Sequence, residues 1–251
     1  DQDGYDDIFI CNYFHPVVSP FLLTDDNAHL NKLYLNNTSS PGQFSWDTAD
    51  FLPENIKYPA TSVDVDDVNG DGYPDLVMTQ DSRVGAGYEY ARTRLFINDG
   101  TGTLVDSTNQ YLFTTDSLNY VGFEANFADL NSDGRKDIFV FGQRNKVFIK
   151  QADNTFVDET DEWIPLHTSN MRPPIFSSLG GTIADFNDDG RPDHFQTNAY
   201  EQVRLMFQST DMSFNDTTTT NLPLNGENTE AAAIADINND GKMDVVNVNY
   251  L

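Results

Sequence analysis

Aspartate recurs at alternate positions in a nine-residue pattern that returns along the chain. The segment Asp67-Val68-Asn69-Gly70-Asp71-Gly72-Tyr73-Pro74-Asp75 comes back as Asp129 to Asp137, Asp185 to Asp193 and Asp236 to Asp244, and a clipped form covers Asp1 to Asp7. Calcium takes six to eight hard oxygen ligands in a flexible shell, and alternating acidic side chains on a tight turn supply them locally. The pattern therefore predicts Ca²⁺ sites, about one per loop. The side-chain ligands are Asp67, Asn69, Asp71 and Asp75; Asp129, Asn131, Asp133 and Asp137; Asp185, Asn187, Asp189 and Asp193; and Asp236, Asn238, Asp240 and Asp244. Asp1, Asp3 and Asp7 remain in the clipped copy, which lacks the first ligand. The seventh position adds a main-chain carbonyl, from Tyr5, Tyr73, Arg135, Arg191 and Lys242.

An EF-hand would carry glutamate at the twelfth position, and that position holds Met78, Val140, Gln196 and Asn247 instead. One such segment would equally be an ordinary Asp/Asn/Gly turn. Turn preference alone does not account for five in one repeat register. Carboxylates crowded into a turn are expected to raise one another's pKa unless a cation neutralises them. Forty acidic residues against fourteen basic ones give a formal charge of -26, and five divalent ions would bring it to -16. That charge repels nucleic acid and anionic membranes, so neither is expected as a partner. With hydrophobic residues at 38% the acidity belongs to a folded protein, not to an acidic tail.

The elements that hold these loops are legible from periodicity. The final aspartates, Asp7, Asp75, Asp137, Asp193 and Asp244, are 68, 62, 56 and 51 residues apart, so the repeating unit exceeds a hairpin. Before each complete loop runs a strand such as Phe123 to Ala128 or Ala231 to Ala235, and an apolar strand follows it. Third strands are expected at Leu33–Leu35, Leu95–Ile97, Val147–Ile149 and Leu205–Phe207, and fourth strands around Phe44, Leu104, Phe156 and Phe214. No helical periodicity is evident. Four short antiparallel strands per repeat describe an all-β protein, a β-propeller of four-stranded antiparallel blades. Residues 1–251 are expected to be a single, partial propeller domain. It would start inside one calcium loop, end after another, and hold about four blades' worth of a longer, seven-bladed ring.

The loops followed by Asp-Leu-Val or Asp-Ile-Phe, and third strands reading LYLNN and LFINDGTGT, make the chain resemble the FG-GAP/VCBS repeat family. That resemblance implies an integrin-α-like propeller, extracellular or at the cell surface, stabilised by calcium and used in adhesion, ligand recognition or surface assembly. Such repeats also stand beside enzyme domains and in lectins, so a carbohydrate-binding role or the non-catalytic propeller of a polysaccharide-active enzyme is the alternative.

Alternating strand direction puts the loops between first and second strands on one edge with the third-to-fourth turns. The second-to-third connections then lie on the opposite edge, where a protein or glycan ligand or other surface subunits are expected to bind. Two of those connections are long: Tyr13 to His29 is apolar, and Arg83 to Arg94 carries Tyr88, Tyr90 and three arginines. For the first, packing against a neighbouring blade is an equally good reading; for the second, exposed Arg and Tyr favour recognition.

No HExxH, GxSxG, P-loop or dinucleotide motif occurs. His15, His29, His167 and His194 share no ligand spacing, and no catalytic residue or cofactor-binding residue is nominated, so the chain is read as a non-enzyme. Cys11, the one cysteine, reads as a small packed hydrophobe. Trp46 and Trp163 do not recur in register, which argues against a sugar platform in every blade. Sequons at Asn36, Asn37 and Asn215 are expected at or near third-to-fourth turns. There is no run of eighteen apolar residues and no signal-peptide pattern, so the chain is expected to be soluble, or the soluble part of something larger.

Overall fold

A computed structural model describes residues 4–12, 31–46, 60–80, 93–112, 122–142, 145–164, 178–198, 202–223 and 229–249. Strands dominate, as β-branched and aromatic residues at alternate positions require. Three antiparallel sheets have four strands each, in simple sequence order. They are β4 (Ala60–Asp66), β5 (Asp75–Gln80), β6 (Thr93–Asn98) and β7 (Leu104–Asp106); β8 (Gly122–Ala128), β9 (Asp137–Gly142), β10 (Lys146–Lys150) and β11 (Phe156–Asp158); and β12 (Ser178–Ala184), β13 (Asp193–Asn198), β14 (Arg204–Gln208) and β15 (Phe214–Asp216). A three-stranded sheet, β1 (Ile8–Ile10), β2 (Lys32–Asn36) and β3 (Phe44–Trp46), repeats the second to fourth strands. The hairpin β16 (Thr229–Ala235) and β17 (Asp244–Asn249) repeats the first two.

The repeat extends to irregularities. Each first strand shifts register at the same place, at Ala60/Ser62, Gly122/Glu124, Ser178/Gly180 and Thr229/Ala231. Each complete sheet is followed by one helical turn, α1 (Thr108–Tyr111), α2 (Thr160–Trp163) or α3 (Thr218–Asn221). The sequence reading held no helix, because four residues cannot show a 3.6-residue period. The local signal is Asp-x-Thr. Asp106 Oδ1 accepts from the Thr108 amide at 3.0 Å and hydroxyl at 2.6 Å, while Thr108 Oγ1 accepts from the Leu95 amide at 3.0 Å. Thr160 and Thr218 accept from Val147 and Leu205 in the same way.

The contacts divide the chain into two compact units, Asp1–Val121 and Gly122–Leu251. In the first, Phe9 of β1 and Cys11 just after it pack on a core of Leu76, Met78, Phe96 and Leu104. Burial pushes the Cys11 thiol up to about 12, so it is an inert hydrophobe, as its sequence context suggested. In the second, Phe139 and Phe141 of β9 meet His194 and Phe214 of the next sheet, and Phe195 packs with Val245 of β17. Gly180 and Gly181 let β12 approach its neighbours closely. A Cβ on Gly181 would lie 2.4 Å from the Phe195 carbonyl oxygen and 2.5 Å from the Phe141 ring.

Arg94 departs from the reading that grouped it with a recognition loop. It is a buried residue of β6, its Nε donating to Gln80 Oε1 at 2.7 Å and its Nη1 to Asp106 Oδ2 at 2.7 Å. Lys146–Asp158 and Arg204–Asp216 repeat that pairing at 2.6 and 3.9 Å, so the basic residue belongs to the repeat. Residues 13–29 and 83–91, including Tyr88 and Tyr90, lie outside the described residues, as do His15, His29 and His167. Of the sequons, Asn36 ends β2 and Asn37 is in the turn after it, but Asn215 lies within β15.

Candidate metal centre

Four of the five aspartate loops are described in full, and each connects the first two strands of a sheet. Their folding is nearly identical because the side chains bond to the backbone in the same order. In the loop after β4, Asp67 Oδ1 accepts from the Asp71 amide at 3.1 Å and Oδ2 from the Gly72 amide at 2.8 Å. Asn69 Oδ1 accepts from the Asp71 amide at 2.9 Å, and Asp71 Oδ1 from the Tyr73 amide at 2.8 Å. The set recurs with Asp129, Asn131 and Asp133, with Asp185, Asn187 and Asp189, and with Asp236, Asn238 and Asp240. The sixth position is glycine at positive φ in every loop, between 83° and 90°. The fourth is also left-handed, with φ of 77° at Gly70, 59° at Ser132 and Asp188, and 58° at Asn239. Sequence reasoning passed over that fourth position, although Gly, Asp and Asn there are the residues that tolerate it.

The ninth position works differently. Asp75 Oδ2 accepts from the Val68 amide at 3.0 Å, and its Oδ1 accepts from the Asn98 amide at 2.9 Å. Asp137 joins Leu130 to Lys150, and Asp193 joins Phe186 to Gln208. Each carboxylate thus ties its own loop to the end of the third strand, and Asp7 does the same for the Asn36 amide at 2.9 Å. These bonds put the aspartate loops on the same edge of the sheet as the third-to-fourth turns, as the alternation of strand direction required.

Asp75, Asp137 and Asp193 are buried, and burial is the chief reason their carboxyl groups are raised to about 6. Neighbouring loop carboxylates add to the rise, in the direction expected, but less than burial does.

In two loops an arginine at position 7 pairs with the aspartate at position 5. Arg191 Nη2 lies 2.5 Å from Asp189 Oδ2 while Nε donates to the Gln208 carbonyl at 3.1 Å, and Arg135 makes the same pair of contacts with Asp133 and Lys150. In the loops with Tyr73 and Lys242, the corresponding Asp oxygen accepts instead from Asn69 Nδ2 at 2.8 Å and Asn238 Nδ2 at 3.0 Å.

The donor set fits a hard cation. Each loop presents two exposed or half-exposed carboxylates, an amide oxygen and a carbonyl on one tight turn, and an oxygen that accepts one amide keeps a second lone pair. Among the described residues, no group of three or more His, Cys, Asp or Glu side chains converges as a metal cluster. The reason is visible in the loops: the third donor is an asparagine, and the ninth carboxylate turns to two backbone amides. Asp1 and Asp3 lie outside the described residues, while Tyr5 is exposed and Asp7 half-buried. His194 is fully buried among Phe139, Phe141 and Phe214, with both ring nitrogens lacking a hydrogen-bond partner, so it packs and does not ligate.

No helix among the described residues is long and apolar enough to cross a membrane. Among curated proteins no significant match to the chain is found. The profile of the FG-GAP-like repeat, by contrast, matches four overlapping stretches, residues 1–78, 67–140, 129–195 and 185–246. Each stretch runs from one aspartate loop to the strand after the next, which is the period of the sheets themselves, and the chain belongs to the FG-GAP-like repeat family.

Proposed function

We propose that this chain is a calcium-stabilised β-propeller segment of integrin-α-like type, acting outside the cell as a non-catalytic adhesion, recognition or surface-assembly module. The observation that supports it most is the fourfold recurrence of one loop conformation, with oxygens at positions 1, 3, 5 and 7 of each turn. Asp67, Asn69, Asp71 and the Tyr73 carbonyl would hold the ion in the loop after β4, with Asp75 closing the set; the equivalents do so in the other loops. A bound Ca²⁺ supplies two positive charges that offset the carboxylates.

The loops themselves are committed to that structural task. Recognition of a protein or glycan, or of another surface subunit, falls to the opposite edge, where the second-to-third connections emerge. A calcium titration by calorimetry, paired with thermal melts in Ca²⁺ and in EDTA, tests the metal reading. Heat of binding and a melting temperature lowered by many degrees in EDTA are expected; identical melts would overturn it. Glycan and protein arrays probed with the calcium-loaded chain then separate sugar binding from protein adhesion. Removing residues 83–91 is expected to abolish the hit while leaving the calcium-dependent melt in place.

A further inference from the structure

The aspartate loops after β4, β8 and β12 sit in complete sheets, and their seventh positions hold Tyr73, Arg135 and Arg191. The hydrogen-bonded frame around that position is the same in all three. Position 1 accepts from the amides at positions 5 and 6 throughout, and the ninth aspartates, Asp75, Asp137 and Asp193, are alike 0% exposed. What changes with the seventh residue is the partner of the carboxylate at position 5.

The Arg191 guanidinium is anchored at two points. Its Nη2 donates to Asp189 Oδ2 at 2.5 Å and its Nε to the Gln208 carbonyl at 3.1 Å. Arg135 is anchored likewise by Asp133 and by the Lys150 carbonyl, the latter at 3.2 Å from Nε. Lys150 and Gln208 end third strands, so each arginine ties its position-5 carboxylate to the strand across the edge. Tyr73 turns its ring instead against Gly100, where a Cβ would lie 3.4 Å from it, and Asp71 Oδ2 accepts from the neutral Asn69 Nδ2 at 2.8 Å.

We propose that the residue at position 7 sets how tightly each loop takes its divalent cation, with Arg135 and Arg191 acting as built-in counter-ions that compete with it at position 5. The inference rests on the calcium reading above and adds a rank order to it, in which the loop after β4 binds tightest of the three. In the arginine loops one oxygen of the position-5 carboxylate goes to the backbone and the other to a guanidinium, in a charge-assisted bond stronger than that of an amide. Displacing the guanidinium loses both of its anchors. Leaving it in place sets like charges within a few ångströms on a half-exposed turn, which weakens binding by on the order of tenfold. The same two anchors keep position 5 tied to the third strand when no ion is bound.

Nuclear magnetic resonance on the full chain carrying isotope-labelled glycine reads each loop separately. Gly72, Gly134 and Gly190 donate their amides to the position-1 aspartate of their own loop, at 2.8, 2.9 and 2.7 Å. When the chelator-treated chain is titrated with calcium chloride, Gly72 is expected to reach half its shift at a roughly tenfold lower free concentration than Gly134 and Gly190. Arg135→Gln keeps a side-chain donor and removes the charge. It should lower the Gly134 midpoint by about tenfold and leave Gly72 and Gly190 where they were. Arg191→Gln should do the same at Gly190, and Tyr73→Arg should raise the Gly72 midpoint. Lys136 and Asp188 also give the loops different charges, and these substitutions within one loop separate the arginine's part from theirs. Coincident midpoints in the wild type, or an Arg→Gln variant whose own glycine keeps or raises its midpoint, would overturn the proposal and leave calcium binding standing. Glycine amides that do not respond to calcium chloride at all would overturn the calcium reading together with it.

Discussion

Removing calcium is expected to invert the pH dependence of stability. Asp75, Asp137 and Asp193 have folded values of about 6 against an ordinary 3.8, so ionising each at neutral pH costs the metal-free fold about 3 kcal/mol. A carboxyl group raised on folding contributes stability that is fully present below the unfolded value and lost as pH rises through the folded one. Going from pH 7 to 4.5 in EDTA, each aspartate should therefore return about 2 kcal/mol, and the three together about 6 kcal/mol. His194 works the other way. Burial lowers it from 6.5 to about 3, and over the same interval it withdraws about 3 kcal/mol. The net expectation in EDTA is a gain of about 3 kcal/mol on acidification. In saturating Ca²⁺ the ion holds the carboxylates charged, so protons compete with it and stability should fall from pH 7 to 4.5.

Urea denaturation at pH 7, 5.5 and 4.5, with and without the metal, measures both slopes. Asp137→Asn isolates one site, since its slope in EDTA should be smaller than that of wild type by about 2 kcal/mol over the interval. A metal-free protein most stable at pH 7 would refute the reasoning, as would an Asp137→Asn variant with the wild-type slope.

Three further outcomes follow from single contacts. His194→Leu places an aliphatic side chain where the equivalent strands carry Leu76, Ile138 and Val245, and it removes two buried nitrogens without partners; urea unfolding at pH 7 should show a gain of about 1–3 kcal/mol. Gly181→Ala forces a Cβ to 2.4 Å from a backbone oxygen and should cost about 1–3 kcal/mol, whereas the close contact of Gly180→Ala is the side-chain end of Glu124, whose bond from the Gly181 amide it would displace, and should cost less; melts of the pair decide it. Thr160→Val deletes the acceptor of the buried Val147 amide and the hydroxyl bonded to Asp158, so it should destabilise by about 1–3 kcal/mol, and faster hydrogen exchange at Val147 would localise the loss.

The strands were legible because each has a half-buried period of two and a turn beside it. Leu95–Ile97, expected as a third strand, lies within β6, and the hairpin signal Asn98-Asp99-Gly100-Thr101 closes onto β7 through the Asp99 amide and the Thr103 carbonyl. The one-turn helices were not legible by periodicity, since their cause is a side-chain bond to a strand two elements earlier. Arg94 was misread for a related reason. Tyr and Arg in a polar stretch look alike whether they face water or a half-buried Asp106, and only the pairing of β6 with β7 decides between them. The site residues were legible as a pattern, but their division of labour was not, because spacing does not show which oxygens the backbone already uses.

That division explains the pattern itself. Position 9 must accept from two backbone amides on different elements, which takes two acceptor oxygens; an asparagine offers one, and all five copies carry aspartate. Position 3 needs one acceptor for the Asp71 amide and, in two loops, one donor to the carboxylate at position 5, so asparagine suffices there. Position 1 accepts with both oxygens and is again aspartate. The loop's shape therefore follows from backbone hydrogen bonding alone. Its charge does not. A protonated or neutral group would bury at position 9 with less cost, so the ionised aspartate leaves the fold in deficit at neutral pH. A cation on the same turn would offset that deficit; the arginines at position 7 pair with position 5 instead, and Asp137 and Asp193 are raised to about 6 as Asp75 is. The three loops whose ninth aspartate is buried, after β4, β8 and β12, accordingly share the same demand for a positive charge, with or without that arginine.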